Sequence, residues 1–216
     1  MSIARLAKSG TVSGTGSLTA MARDGVAFIV RSRRLRVLFP AYFVLFSGWM
    51  LAYIYVPLIV ADLYTGSDGG TAVGLVLGAG GVVALVATPA IGALSDRFGQ
   101  WPTLLSGTVV MCVLWLLPYF ARELVAFTVL WALANGIVSG VFSVSFTVLA
   151  GSTSEAQRGR VMTFGYLPAN MGFVIGPAIG TVVTSTDVFL VFPTAAVLTA
   201  LGLIAILYAR RQPTAI

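Results

Sequence analysis

Histidine is absent from this sequence of 216 residues, and cysteine occurs once. The first absence removes the commonest proton shuttle, metal ligand and general base. The second excludes an internal disulfide and a cysteine-based metal cluster, and Cys112, inside an apolar run, reads as a core residue. Lys8, near the N-terminus, is the one lysine, so a serine-lysine dyad has no lysine within the apolar segments. Charge of either sign is scarce: 9% of residues are charged and 58% apolar, with a mean hydropathy of +0.97. A soluble fold of that makeup would have no polar surface, so the chain is expected to lie in a bilayer as an all-α membrane protein. Enzymatic chemistry within the membrane has few groups to use, and no cofactor is expected.

The charge that is present gathers between apolar segments. Residues 1–36 form a Ser/Gly/Thr-rich leader that ends on Arg31, Arg33, Arg34 and Arg36. Its apolar run, Val26 to Val30, is too short for the core of a secretory signal. From Ala22 to Phe39 basic and apolar residues alternate, as suits either a helix lying on the membrane surface or a flexible basic arm. Six apolar segments follow, at roughly 38–60, 72–94, 101–120, 124–149, 161–184 and 188–209, each about a bilayer long at 1.5 Å per residue. The expected organisation is a cytoplasmic leader over 1–36, a six-helix bundle over 37–211 and a short tail over 212–216.

Threading follows from the arginines, because cytoplasmic loops retain positive charge. The leader, Arg97, Arg158, Arg160, Arg210 and Arg211 fall on one side of the six segments, and Arg122 falls on the other. Both termini are therefore expected in the cytoplasm and the chain in the cell (inner) membrane. The net charge of +6 is explained by lipid electrostatics, so no nucleic-acid partner is expected.

Pro89-Ala90-Ile91-Gly92 in the second segment recurs as Pro177-Ala178-Ile179-Gly180 in the fifth, each near the C-terminal end of its helix. These two segments run in opposite directions, so the echo predicts two inverted three-helix repeats. Gly70, Gly74 and Gly78 repeat every fourth residue, as do Gly172, Gly176 and Gly180, giving each helix a smooth face for close packing.

The stretch Gly92 to Trp101, GALSDRFGQW, is the most polar short segment in mid-chain and reads as a tight hairpin between two apolar helices. It resembles the signature hairpin of the major facilitator superfamily, G-x-L-a-D-R-x-G-R-[KR]. Gly92, Leu94, Asp96, Arg97 and Gly99 match, while Gln100 and Trp101 stand where the pattern closes on two basic residues. That departure is similar to the second copy of the hairpin in the family. The run Arg158 to Gly180 resembles the fifth or eleventh helix of drug-efflux members, with Gly172, Gly176, Pro177 and Gly180 on the G-x-x-x-G-P-x-x-G pattern.

The resemblance implies a secondary transporter working by alternating access, of which this chain is the C-terminal six-helix half, its leader similar to the loop that joins the halves. It implies that the glycine faces of the second and fifth segments, with Pro177, meet a complementary half or a second copy. It also implies a cytoplasmic latch in which Asp96 lies near the start of the fifth segment, close to Arg158 or Arg160. A truncated or accessory half-bundle without transport of its own is the alternative.

A transport path needs polar groups at mid-membrane depth, because such groups are costly against lipid. Trp49 and Tyr53 in the first segment, Asn135, Ser139 and Ser143 in the fourth, and Tyr166 and Asn170 in the fifth each share a helical face and are the candidates. No acidic or basic residue lies in the middle of a segment. An uncharged or amphiphilic solute or drug is therefore the expected substrate.

Overall fold

The computed structural model describes residues 29–213 together with 23, 26 and 27, and leaves the side chains of Ala156 and Arg160 outside that description. The first 22 residues, with Lys8, and residues 214–216 also lie outside it. Within the described residues all six apolar segments form helices long enough to cross a membrane, over Arg33–Leu63, Gly69–Phe98, Gln100–Phe120, Leu124–Gly151, Gln157–Val183 and Val188–Arg210. In a bilayer this follows from the backbone, since a helix bonds its own N–H and C=O groups where no water can.

The first span begins earlier than the apolar run suggests. Ser32 caps it, accepting a bond from Leu35 N at 3.3 Å, so Arg33 to Phe39 belong to this helix rather than to a separate surface helix. Two spans are broken by proline. The first divides at Tyr55 into α1 (Arg33–Ile54) and α2 (Val56–Leu63), and the fifth divides at Tyr166 into α6 (Glu155–Gly165) and α7 (Leu167–Val183). Pro57 and Pro168 each stand at the start of the second piece, where a missing N–H costs nothing. The second, third, fourth and sixth spans are carried by α3 (Gly69–Phe98), α4 (Gln100–Leu116), α5 (Leu124–Gly151) and α8 (Val191–Arg210).

The second and third spans meet across a single residue. Gly99 has φ +94° and is the one described residue with positive φ, a conformation that glycine adopts without penalty. Its N–H donates to the Ser95 carbonyl at 2.9 Å, and its own carbonyl accepts from Thr103 Oγ1 at 2.9 Å, so one helix closes as the next opens. Asp96 and Arg97 consequently lie in the last helical turn of the second span and not in a loop.

Packing follows an exchange rule. The first span packs on the fifth and sixth, the fourth on the second and third, and the third and sixth pack on each other. Swapping first for fourth, second for fifth and third for sixth reproduces this set of neighbours. The chain is thus two interlocked three-helix units of inverted direction.

Glycine makes the tightest of these contacts possible. A Cβ on Gly172 would stand 2.8 Å from Phe46 Cβ, and one on Gly176 would stand 2.6 Å from the Ser47 carbonyl oxygen and 2.9 Å from Leu51 N. At Gly180 it would run into the Tyr55 ring, whose hydroxyl donates to the Pro177 carbonyl at 3.1 Å. Between the second and fourth spans, Gly80 lies beside Trp131 and Asn135, Gly136 beside Val83 and Gly140 beside Ile91. The expected half-to-half interface is corrected accordingly: Gly172, Gly176 and Gly180 are buried against the first span, and half-buried Pro177 is bonded to it. Gly70, Gly74 and Gly78 have nothing within 4 Å of an added Cβ and remain open.

These two sets of glycines should respond oppositely to a side chain. Gly176→Val should destabilise the folded bundle by about 1–3 kcal/mol through overpacking, read as a lower thermal midpoint in detergent. Gly74→Val should change the stability of the single six-helix bundle, read the same way on the monomeric particle, by less than about 0.5 kcal/mol.

Candidate functional site

Three of the candidate pathway spans are brought to one face. Trp49 and Tyr53 stand on the first span with ring centroids 6.1 Å apart, and Trp49 lies 4.9 Å from Phe142 of the fourth. Phe46 stacks on Phe142 at 3.8 Å, and Phe146 continues to Tyr166 of the fifth span at 4.8 Å. An aromatic strip therefore runs over the first, fourth and fifth spans. Tyr53, Ser143, Tyr166 and Asn170 are exposed along it, and Trp49 and Ser139 are half-buried.

Asn135 departs from the expected face. It is 7% exposed, and its amide joins three spans: Oδ1 accepts from Trp49 Nε1 at 3.3 Å, and Nδ2 donates to the Gly80 carbonyl at 3.1 Å. Its place is behind the strip, where it fixes the Trp49 indole. Ser139 donates to the Asn135 carbonyl at 2.9 Å, within its own helix. Such back-bonding satisfies a hydroxyl without an interhelical partner.

The strip residues Phe46, Phe142 and Phe146 are not among the polar candidates drawn from the sequence, although the signal was present. Phe46, Trp49 and Tyr53 follow i, i+3, i+7, and Phe142 and Phe146 follow i, i+4. The strip also continues inward through Trp131, which is 5.8 Å from Tyr53, to Trp115 and Phe192 in the core.

The two ends of the bundle are built differently. At the hairpin end, Asp96, Arg97 and Arg158 are exposed, Gly92 is half-buried and open on its Cβ side, and Arg97 lies over the Phe98 ring at 5.2 Å. No Asp96–Arg158 ion pair forms, and Arg160 lies outside the described side chains. Gln100 and Trp101, which replace basic residues of the pattern, have partners of their own. Gln100 abuts Gly151 at the end of the fourth span, and the Arg34 guanidinium sits 5.5 Å from the Trp101 ring centroid.

At the opposite end, Arg122 pairs with Asp187 at 3.6 Å and lies over the Phe189 ring at 4.2 Å. That is the one ion pair among the described residues.

Two apolar grooves accompany the strip. One of about 390 Å³ lies between the second and fourth spans, lined by Tyr64, Asp68, Thr71, Leu75, Val125 and Thr128 among others. The other, about 240 Å³, lies between the first and fifth, lined by Phe39, Pro40, Phe43, Leu167, Pro168 and Met171. They are exchanged by the same swap that relates the spans.

Six apolar helices in two interlocked triplets define a multi-pass membrane protein. Residues 38–216 match the family model of the Major Facilitator Superfamily, and the chain belongs to that family. It is similar to the class B tetracycline resistance protein of Escherichia coli, 31% identical over 126 residues that cover 57% of this chain and 31% of that protein. The MFS-type transporter y4rN of Sinorhizobium fredii is 30% identical over 204 residues, 92% of this chain and 49% of its own length. The quinolone resistance protein NorA of Staphylococcus aureus is 26% identical over 152 residues, 69% of this chain and 38% of its length. The chain thus spans no more than about half the length of these curated relatives.

A double-mutant cycle tests the position of Asn135. Asn135→Leu and Trp49→Phe should each lower the thermal midpoint, and their effects should couple by about 0.6 kcal/mol, the usual strength of an interhelical bond in a membrane. Strictly additive effects would mean that the indole is not held by this amide.

Proposed function

We propose that this chain is one six-helix half of an alternating-access transporter of the efflux type, moving an uncharged or amphiphilic solute past the aromatic strip. The observation that carries this reading is the exposure of Tyr53, Ser143, Tyr166 and Asn170 within apolar spans. Against lipid these polar groups would be costly, whereas against a water-filled cavity they are not. A single half leaves that cavity without its far wall. A second six-helix unit, either a complementary half or another copy of this chain, supplies it through the open face at Gly70, Gly74 and Gly78.

The substrate class follows from what the strip offers. Aromatic rings with a few hydroxyls and one side-chain amide suit a flat apolar molecule with scattered polar atoms. The tetracycline and quinolone resistance named for the relatives agrees with drugs of that character. The hairpin end, rich in arginine, faces the cytoplasm of a cell whose inner membrane holds the chain. There Asp96 and Arg97, exposed on this half, latch against the second half when that face closes.

Flux and mass, measured together on the purified chain, test the proposal. Liposomes should accumulate or release a fluorescent amphiphilic drug only under conditions where the detergent-solubilised particle contains two six-helix units. Asp96→Asn should slow flux at least severalfold while insertion is unchanged. Full flux from a strict monomer, or unaltered flux in the variant, would count against it. A paired particle with no flux for any tested drug would favour the accessory half-bundle.

A further inference from the structure

Where the first span begins and the sixth ends, arginines gather without carboxylates among the described residues. Arg34 organises the group. Its Nε donates to the Gln212 carbonyl at 3.0 Å, a second guanidinium nitrogen donates to the same oxygen, and the guanidinium lies over the Trp101 ring. Arg34 is only half-exposed and is committed to these protein groups. The contact brings the opening turn of the first span to the end of the sixth, and Arg33 and Arg36 on the one and Arg210 and Arg211 on the other are all exposed. None of them forms an ion pair among the described residues, where the single pair is at the far end of the bundle.

Four like charges on two adjoining helix ends repel one another unless an anion lies between them. Half-buried Trp101 beside this group is a residue type that settles at headgroup level, which places the four arginines among lipid phosphates rather than in bulk water. Guanidinium forks grip phosphate oxygens two at a time.

We propose that this arginine corner binds the phosphodiester of an anionic phospholipid, whose headgroup bridges Arg33 and Arg36 to Arg210 and Arg211. The bound lipid joins the first and sixth spans at the end where Arg34 also touches the third. The inference rests on membrane embedding alone and stands or falls independently of transport.

Native mass spectrometry of the full chain, loaded with phosphatidylglycerol or with phosphatidylcholine of matched acyl chains, reads the site directly. The expected result is preferential retention of phosphatidylglycerol. The triple variant R33Q/R210Q/R211Q should weaken that binding roughly fivefold per arginine removed, while the matching lysine triple keeps most of the preference. If the glutamine triple does not fold, by circular dichroism, the single variant Arg211→Gln should still show about a fivefold loss. Equal retention of the two lipids, or an unchanged preference in a folded glutamine variant, overturns the proposal. Displacement of phosphatidylglycerol by millimolar inorganic phosphate overturns the lipid assignment and makes the corner a free-phosphate site.

Discussion

The close approach of helix backbones at glycine is the contact on which the rest of this bundle depends. In lipid no hydrophobic force draws one apolar helix to another, so association rests on van der Waals packing and the few polar bonds that packing allows. Gly172 and Gly176 let the fifth span lie directly on the backbone of the first at Phe46, Ser47 and Leu51. Gly136 and Gly140 make room on the fourth span for the Val83 and Ile91 side chains of the second. Each of these contacts crosses from one three-helix unit to the other. Without them the two triplets would have no reason to interlock, and the strip that spans the first, fourth and fifth helices would not assemble.

Polar groups inside the bundle are spent in a consistent way. Hydroxyls on the fourth span bond back to their own helix, as Ser145 Oγ does to the Val141 carbonyl at 2.8 Å and Ser152 Oγ to the Val148 carbonyl at 2.7 Å. Both are buried and sit in the core without needing a neighbour. Bonds between helices are left to groups with longer reach. Tyr42 donates to the Ser145 carbonyl at 2.9 Å, Tyr55 to Pro177, and Asn135 links two spans to its own. Asn135 is the one of these whose loss disconnects two helices at once.

The six spans were legible because an apolar run of bilayer length has one outcome in lipid. The inverted repeat was legible from four residues because the exchange of helices makes Pro89 and Pro177 equivalent. What the glycine faces meet was not. Gly70, Gly74 and Gly78 have the same spacing as Gly172, Gly176 and Gly180, and only the partner helix tells an open face from a buried one. The candidate face of the fourth span failed for a geometric reason. A step of four residues advances about 400°, so two steps turn the side chain by about 80°. That rotation carries Asn135 into the bundle while Ser143 stays outside. Arg34 was read as one of a basic cluster, since nothing in the order of residues announces Trp101 and Gln212 as its partners.

The distribution of breaks and ties indicates which parts of the half form a frame. The third and sixth spans are held together at both ends: Arg34 spans Trp101 and Gln212 at one, and Arg122 spans Tyr119 and the Asp187–Phe189 turn at the other. The third changes only in its last turn, where Pro118 opens a short 3-10 helix over Leu117–Phe120. The first and fifth spans, which bear much of the exposed strip, are the two that are broken, at Tyr55 and Tyr166. They contact each other mainly through glycine, with the Tyr55 ring set against Gly180. The breaks lie at different depths, one toward each end of the bundle, and each is covered by an aromatic contact with a neighbouring span, Tyr55 with the fifth and Tyr166 with the fourth. The breaks thus fall in helices that carry the exposed strip, and the ties fall in the third and sixth spans behind them.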